Sequence, residues 1–251
     1  MSTKTFPIAE VFGFTVNDHS ANAERYRKSQ LCPYNNRVPN CTKDKANNPL
    51  AVCSILYANN PAIVCPIRFR ENWLITDDAA DFFFEPGTKW SSLTEVRVND
   101  ALGKSAGNID VVLVAYDENG TVSDFGALEV QAVYISGNVR DYFDYYMKQS
   151  GHTLGSEWMS IPNYPRPDFL SSSRKRLVPQ LLFKGGIFYA WRKKTAVAIN
   201  KCFLDTLPKL EKVKKFQADI AWLIYDLEEH EENGRIELRL TKIDELYTDF
   251  P

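Results

Sequence analysis

The chain has 251 residues, of which 44% are hydrophobic, 25% charged and 13% aromatic, and its formal net charge is −2. This composition excludes a disordered tail, a collagen-like chain and a coiled coil, and no apolar run approaches the ~18–20 residues needed to cross a bilayer. The stretch Met1-Ser2-Thr3-Lys4-Thr5-Phe6-Pro7 has no apolar core of secretory-signal length, so the expected compartment is the cytoplasm. The length fits one large domain carrying a small module, divided here as residues 1–75 and residues 76–251.

The first unusual feature is a run of cysteines. Cys32, Cys41, Cys53 and Cys65 are spaced C-x8-C-x11-C-x11-C, and Cys202 stands far away as an ordinary core thiol. Disulfides are disfavoured in a cytosolic chain, so four clustered thiols predict a tetrahedral, all-thiolate metal site. The surrounding segment is rich in Pro and Asn, from Pro33 to Pro61, and buries little apolar surface of its own. A bound metal would supply its folding energy. Zinc and iron both accept such a cage, and spacing does not choose between them; four scattered buried thiols are the plain alternative.

Next comes a hairpin. Two β-branched, apolar runs, residues 107–116 and 121–134, flank Asn119-Gly120, the favoured pair for a two-residue type I′ turn. That turn places Asp110 directly opposite Glu129, and facing residues of an antiparallel pair point to the same side. Gln131, two residues on, shares that side. A bulge at Gly126 would shift the register by one. Side-by-side carboxylates repel, and a divalent cation between them is the simplest remedy. Few, hard oxygen ligands open to water and phosphate suit Mg²⁺. An exposed hairpin face with solvated acids is the alternative, but Leu128, Val130, Ala132 and Val133 read as a strand buried on both sides.

Charge is unevenly distributed. Residues 166–215 hold thirteen Lys or Arg against three acids, whereas residues 216–251 hold three against ten. The basic block is the footprint a polyanion would meet, though a solvated helical face gives the same count. Within it, Arg174, Lys175, Arg176, Lys184, Arg192, Lys193 and Lys194 are the expected phosphate contacts. Residues 172–185 predict an amphipathic helix with Leu177, Val178, Leu181 and Leu182 on its apolar side. Ala196–Ile199 predicts a strand, Lys201–Leu207 a helix, and Asp219–Leu227 with Arg235–Leu240 a second hairpin around Asn233-Gly234. The alternation fits an α/β fold with a mixed central sheet flanked by helices. His19, His152 and His230 lie in unrelated polar contexts, and Lys184-Gly185-Gly186 is too short for a phosphate loop, so no nucleophile system or nucleotide site competes.

The pattern Asp110-x18-Glu129-x-Gln131 is a variant of the PD-(D/E)-x-K nuclease signature, with Gln in place of Lys. Preceded by the four-cysteine segment and followed by Arg166–Ile187, it resembles the NotI-type restriction endonucleases over most of residues 6–207. The resemblance implies a PD-(D/E)-x-K core with an N-terminal four-cysteine module, and a homodimeric, Mg²⁺-dependent type II enzyme. It implies cleavage of double-stranded DNA at a palindromic site, GC-rich targets being the first to try, with 5′-phosphate and 3′-hydroxyl ends. Asp110 and Glu129 would be the metal-binding acids, Gln131 would take the lysine position, and Glu95 would match an upstream acid. The four cysteines would hold structural iron, with zinc as the alternative. A non-cleaving DNA-binding protein, a repair or transposition nuclease of the same superfamily, and a metal-stabilised interaction module are the rival readings.

Overall fold

The hairpin lies at the centre of a six-stranded mixed sheet in the computed structural model, which describes residues 5–45, 47–99, 102–149, 154–232 and 234–250. The strands are β1 (Trp90–Asn99), β2 (Ser105–Tyr116), β3 (Val122–Gln131), β4 (Thr195–Asn200), β5 (Ile220–Glu232) and β6 (Arg235–Thr248), and they sit side by side in that order. β1, β2 and β3 form an antiparallel meander, whereas β4 is parallel to both β3 and β5. A parallel strand between two neighbours is covered on both faces, and every residue of β4, Thr-Ala-Val-Ala-Ile-Asn, is buried. The mixed α/β architecture expected from the sequence is therefore present.

Helices cover both faces of this sheet. α1 (Leu74–Phe83) precedes the meander and packs on β3 and β4. Its Phe83 ring lies over Gly126, where an added Cβ would stand 2.5 Å from the ring. Gly126 is thus paired in register with Leu113 rather than bulged, and its small size makes room for Phe83. Neighbouring residues on a strand point to opposite faces. Ala127 accordingly joins the other face, packed with Val112 and Phe188.

Phe188 belongs to α2, a helical run through five consecutive segments: Phe169–Ser172, Ser173–Leu177, Val178–Gln180, Leu181–Gly185 and Gly186–Ala190. The second and fourth are π-helical, and every junction keeps right-handed helical backbone. Pro179 sits between the two π segments. Proline lacks the N–H that an α-helix interior uses, and the wider π register relieves the clash with the preceding turn. Each π turn also displaces the side chains that follow, so the amphipathic stripe expected over residues 172–185 is divided. Leu177 is buried, but Val178 and Leu182 are about half exposed. Lys201–Leu204 forms the short helix after β4, and the last two strands are longer than the sequence predicts. Asn233, in the expected second turn, and His152 lie outside the described residues.

The chain divides into two units. One comprises Met1–Asn72, Ala132–Phe169 and Asp226–Thr241; the other comprises Trp73–Gln131, Leu170–Tyr225 and Lys242–Pro251 and carries the meander, α1 and most of α2. The first unit contains a four-stranded antiparallel sheet of Phe14–Thr15, Ile8–Val11, Val52–Tyr57 and Asn60–Ile63. Its helix Ala21–Lys28 is capped by Ser20, whose hydroxyl accepts from the Ala23 N–H at 3.2 Å. Rings of Phe6, Tyr142 and Trp158 pack together beside these strands. The Arg68 guanidinium is wholly buried in this unit, between Glu10 at 3.0 Å, Glu71 at 2.5 Å and the Leu238 carbonyl at 2.7 Å. No helix among the described residues is long and apolar enough to cross a membrane.

Candidate active site

The β2–β3 hairpin sets the geometry, by a route other than the expected turn. Its loop closes on Asp117, whose carbonyl accepts from the Gly120 N–H and whose N–H donates to the Thr121 carbonyl, both at 3.0 Å. The Asp117 carboxylate also accepts from the N–H groups of Asn119 at 2.9 Å and Thr121 at 2.8 Å. Gly120 takes a positive φ of 79°, so the loop is a turn followed by a left-handed glycine rather than a two-residue type I′ turn. This shifts the pairing by one residue at Tyr116↔Val122, and a bulge beside Ala115 shifts it back. From Ala115↔Asp124 through Val111↔Leu128 the register equals that predicted around Asn119-Gly120.

Asp110 and Glu129 come next in that register. The backbone N–H of Val130 donates to Asp110 Oδ2 at 2.8 Å, tying this carboxylate to the strand that carries Glu129. Asp110 is half-buried, whereas Glu129 and Gln131 are only 5% and 3% exposed. Ala127, Glu129 and Gln131 share one side of β3, the side on which Ala127 meets Phe188 of α2. Burial, reinforced by the negative charge of Asp110, pushes the Glu129 carboxyl up to about 8. The Lys184 ammonium opposes that shift without cancelling it.

Lys184 was expected on the phosphate-facing surface; the structure places it inside. It is 6% exposed, and its Nζ donates to Glu129 Oε1 at 2.9 Å, Glu129 Oε2 at 3.0 Å and the Asn108 carbonyl at 2.6 Å. The reason is the path of α2 across the face that Glu129 shares, with the second π segment carrying Lys184. Nothing near Asp110-x18-Glu129-x-Gln131 announces this lysine, which is remote in sequence. Its one signal was membership of the basic block.

The remaining expected residues separate into groups. Glu95 lies on β1 across from Asp110, between the pairs Thr94↔Val111 and Val96↔Ile109. It is exposed, and its φ of 57° is left-handed, a conformation that costs a non-glycine residue ~1–3 kcal/mol. Arg174, Lys175 and Arg176 are exposed on the first π segment, and Arg192 is exposed after α2. Lys193 and Lys194 are engaged with the protein. Lys193 pairs with Asp124 at 2.5 Å, and Lys194 donates to the Phe82 carbonyl at 3.0 Å.

The four cysteines belong to the other unit. Cys53 lies on the strand Val52–Tyr57, Cys65 follows the strand Asn60–Ile63, and Cys32 and Cys41 flank the Leu31↔Asn40 bridge. Cys32 is half-buried and the other three are buried. Burial pushes the Cys32 thiol up to about 11, with Cys65 and Cys41 close enough to add to the shift. Burial likewise raises Cys41 and, further, Cys53, each of which also feels Cys65. Backbone N–H groups of Tyr34 and Asn35 act on the Cys32 sulfur and that of Lys43 on Cys41, and both effects favour thiolate. Cys65 thus influences each of the other three thiols, but the four-cysteine cage expected from the spacing is not seen. Among the described residues no group of three or more His, Cys, Asp or Glu is arranged to hold a metal ion. Buried protonated thiols pack as small apolar groups, and it takes a cation to draw four of them to bonding distance.

Comparison with protein families matches residues 10–238 to the family described as restriction endonuclease NotI. Comparison with curated proteins finds no match.

Proposed function

The chain belongs to the NotI restriction endonuclease family, whose members are site-specific deoxyribonucleases acting on DNA, and from that premise we propose that Asp110, Glu129 and Gln131 form its cleavage centre, a PD-(D/E)-x-K site with glutamine in the lysine position. The observation that carries this reading is the apposition of the two carboxylates on adjacent strands, with Asp110 fastened by the Val130 N–H. The order of α1, the β1–β2–β3 meander, α2 and parallel β4 supports it, because this path brings one face of β3 under α2.

Two carboxylates are hard oxygen donors, and such a pair suits Mg²⁺ better than a softer ion. When bound there, Mg²⁺ would supply charge neutralisation at the scissile phosphate and acidify the attacking water. Asp110 and Glu129 would hold it. Gln131 cannot act as a base or carry charge, so its part is to orient water through its amide. The exposed Arg174, Lys175, Arg176 and Arg192 would meet backbone phosphates. Glu95, across from Asp110 on β1, would be the additional upstream acid of the same centre. A homodimer would present two such centres to a palindromic target, with cleavage leaving 5′-phosphate and 3′-hydroxyl ends in the cytoplasm.

Four thiols are the donor chemistry a structural thiophilic metal takes, and Cys32, Cys41, Cys53 and Cys65 would be its ligands. Cys65 acts electrostatically on each of the other three thiols, and backbone N–H groups favour thiolate at Cys32 and Cys41. Iron is the family-based choice and zinc the alternative.

The test is incubation of the protein with sequenced genomic DNA at ~10 mM Mg²⁺, beside a Glu129→Ala control. Discrete fragments that vanish in the control support the reading and reveal the target from their ends. Retained cleavage by Glu129→Ala overturns the assignment.

A further inference from the structure

The cleavage centre lacks a lysine in its signature, yet a lysine stands in it. We propose that Lys184 performs the part the signature lysine would play: from α2 it holds the Glu129 carboxylate in place and sets a fixed positive charge beside the scissile phosphate. This inference rests on the nuclease reading of Asp110 and Glu129 and goes beyond it, because sequence order gives position 184 no place in the motif.

Three observations carry it. The ammonium of Lys184 has three N–H donors, and the structure gives it three acceptors within 3.0 Å: both oxygens of Glu129 and the carbonyl of Asn108. That is the full valence of a protonated lysine. It fixes the Glu129 carboxylate through both oxygens, which a surface lysine on a flexible stem would not do. Second, the residue is 6% exposed, and a lysine is seldom buried so deeply unless paired. Third, the route to Glu129 is built into the backbone. Lys184 lies in a π-helical turn, a rare form that is frequent at functional sites. Its stem passes Gly107, whose φ of 103° only glycine adopts readily and where an added Cβ would lie 3.5 Å from Lys184 Cε.

The division of labour with Gln131 is chemical. A carboxamide can orient water but cannot neutralise charge; an ammonium supplies the charge that Gln131 lacks. In hydrolysis the water oxygen bonds to phosphorus while the bond from phosphorus to the 3′ oxygen breaks. The proton lost by the water is balanced by the proton gained at the 3′ oxygen. Lys184 keeps its protons throughout and contributes charge and position. It is a positioning residue that acts through Glu129.

The test compares Lys184→Gln, Lys184→Arg and the exchange Lys184→Gln with Gln131→Lys, each beside wild type and Glu129→Ala. The probe is a linear DNA fragment carrying one mapped cut. Single-turnover cleavage in Mg²⁺, DNA binding in Ca²⁺ by gel shift and the thermal midpoint are read for each. The expected result is a loss of about 100-fold in cleavage for Lys184→Gln, a charge-stabilising donor being worth about 10²–10³. Binding should stay within about threefold of wild type. Lys184→Arg should cut at least about tenfold faster than Lys184→Gln, because it keeps the charge. The exchange should recover at least about tenfold over Lys184→Gln by returning a lysine to the signature position. Equal cleavage by Lys184→Gln and Lys184→Arg overturns the proposal. So does an exchange variant that melts like wild type without recovering cleavage. If Lys184→Gln fails to fold, the pair of Lys184→Arg and the exchange decides. Wild-type cleavage abolished by Glu129→Ala, together with undiminished cleavage by Lys184→Gln, sinks this inference and leaves the nuclease reading standing. A wild type inert toward every DNA overturns both.

Discussion

Lys184 Nζ lies 2.9 and 3.0 Å from the two carboxylate oxygens of Glu129, 55 residues away along the chain. The pair is almost wholly buried, so each partner depends on the other to offset the loss of hydration. One consequence concerns the second acid. In Asp110→Asn the side-chain oxygen still accepts the Val130 N–H, so the hairpin should keep its register. Cleavage should fall by about 100-fold or more for want of a charged metal ligand. Circular dichroism and single-turnover kinetics on the same sample check both halves.

Gly126 lies under the ring of Phe83, and an added methyl would sit 2.5 Å from it. Gly126→Ala should therefore lower stability by about 1–3 kcal/mol, the usual cost of overpacking. Urea denaturation measures it. Combining it with Phe83→Leu should recover part of the loss, since the clash is with that ring.

Arg68 is wholly buried, and its charge faces Glu10, itself 1% exposed. Arg68→Met would strip the buried Glu10 carboxylate of this countercharge while the Ser54 hydroxyl still donates to it at 2.7 Å. The expected cost is about 3–5 kcal/mol. A denaturant midpoint unchanged from wild type would show that the buried pair contributes nothing.

Arg174, Lys175 and Arg176 are exposed on consecutive positions of α2. Replacing all three by Ala should weaken DNA binding for every sequence alike and reduce the log–log salt slope by about 2–3. Binding titrations between 50 and 200 mM salt, roughly the range over which phosphate contacts are screened, read that slope.

If the four cysteines hold a structural metal, elemental analysis of the purified protein should find about one thiophilic ion per chain. Cys53→Ser should lower both the metal content and the thermal midpoint. A wild type without iron or zinc that melts like one soaked in either would remove the structural-metal proposal.

How far the residues alone reached is clearest at the hairpin. The β-branched, apolar runs of Val111–Ala115 and Gly126–Val130 announced two strands, and a turn centred on Asn119-Gly120 set Asp110 opposite Glu129. The register was right although the turn was wrong. The left-handed Gly120 and the bulge beside Ala115 shift the pairing in opposite senses, and local propensity does not weigh two such shifts against each other. The apolar run of Ala196–Ile199 announced a strand, but not that it would be buried and lie parallel beside β3. The stripe of Leu177, Val178, Leu181 and Leu182 misled because two π turns break the 3.6-residue spacing on which it depends.

The sequence by itself determined the α/β class, the hairpin with its two acids, the cluster of four thiols and the basic block. These are matters of composition and of spacing along a strand or helix, where the period of the backbone converts position into direction. Only the tertiary structure decided which of the basic residues faces solvent and which enters the acid site. That choice depends on where α2 crosses the sheet, a long-range packing of Phe188 on Val112 and Ala127. A lysine is readily buried only where a carboxylate awaits it, and that carboxylate is supplied by a strand more than fifty residues earlier.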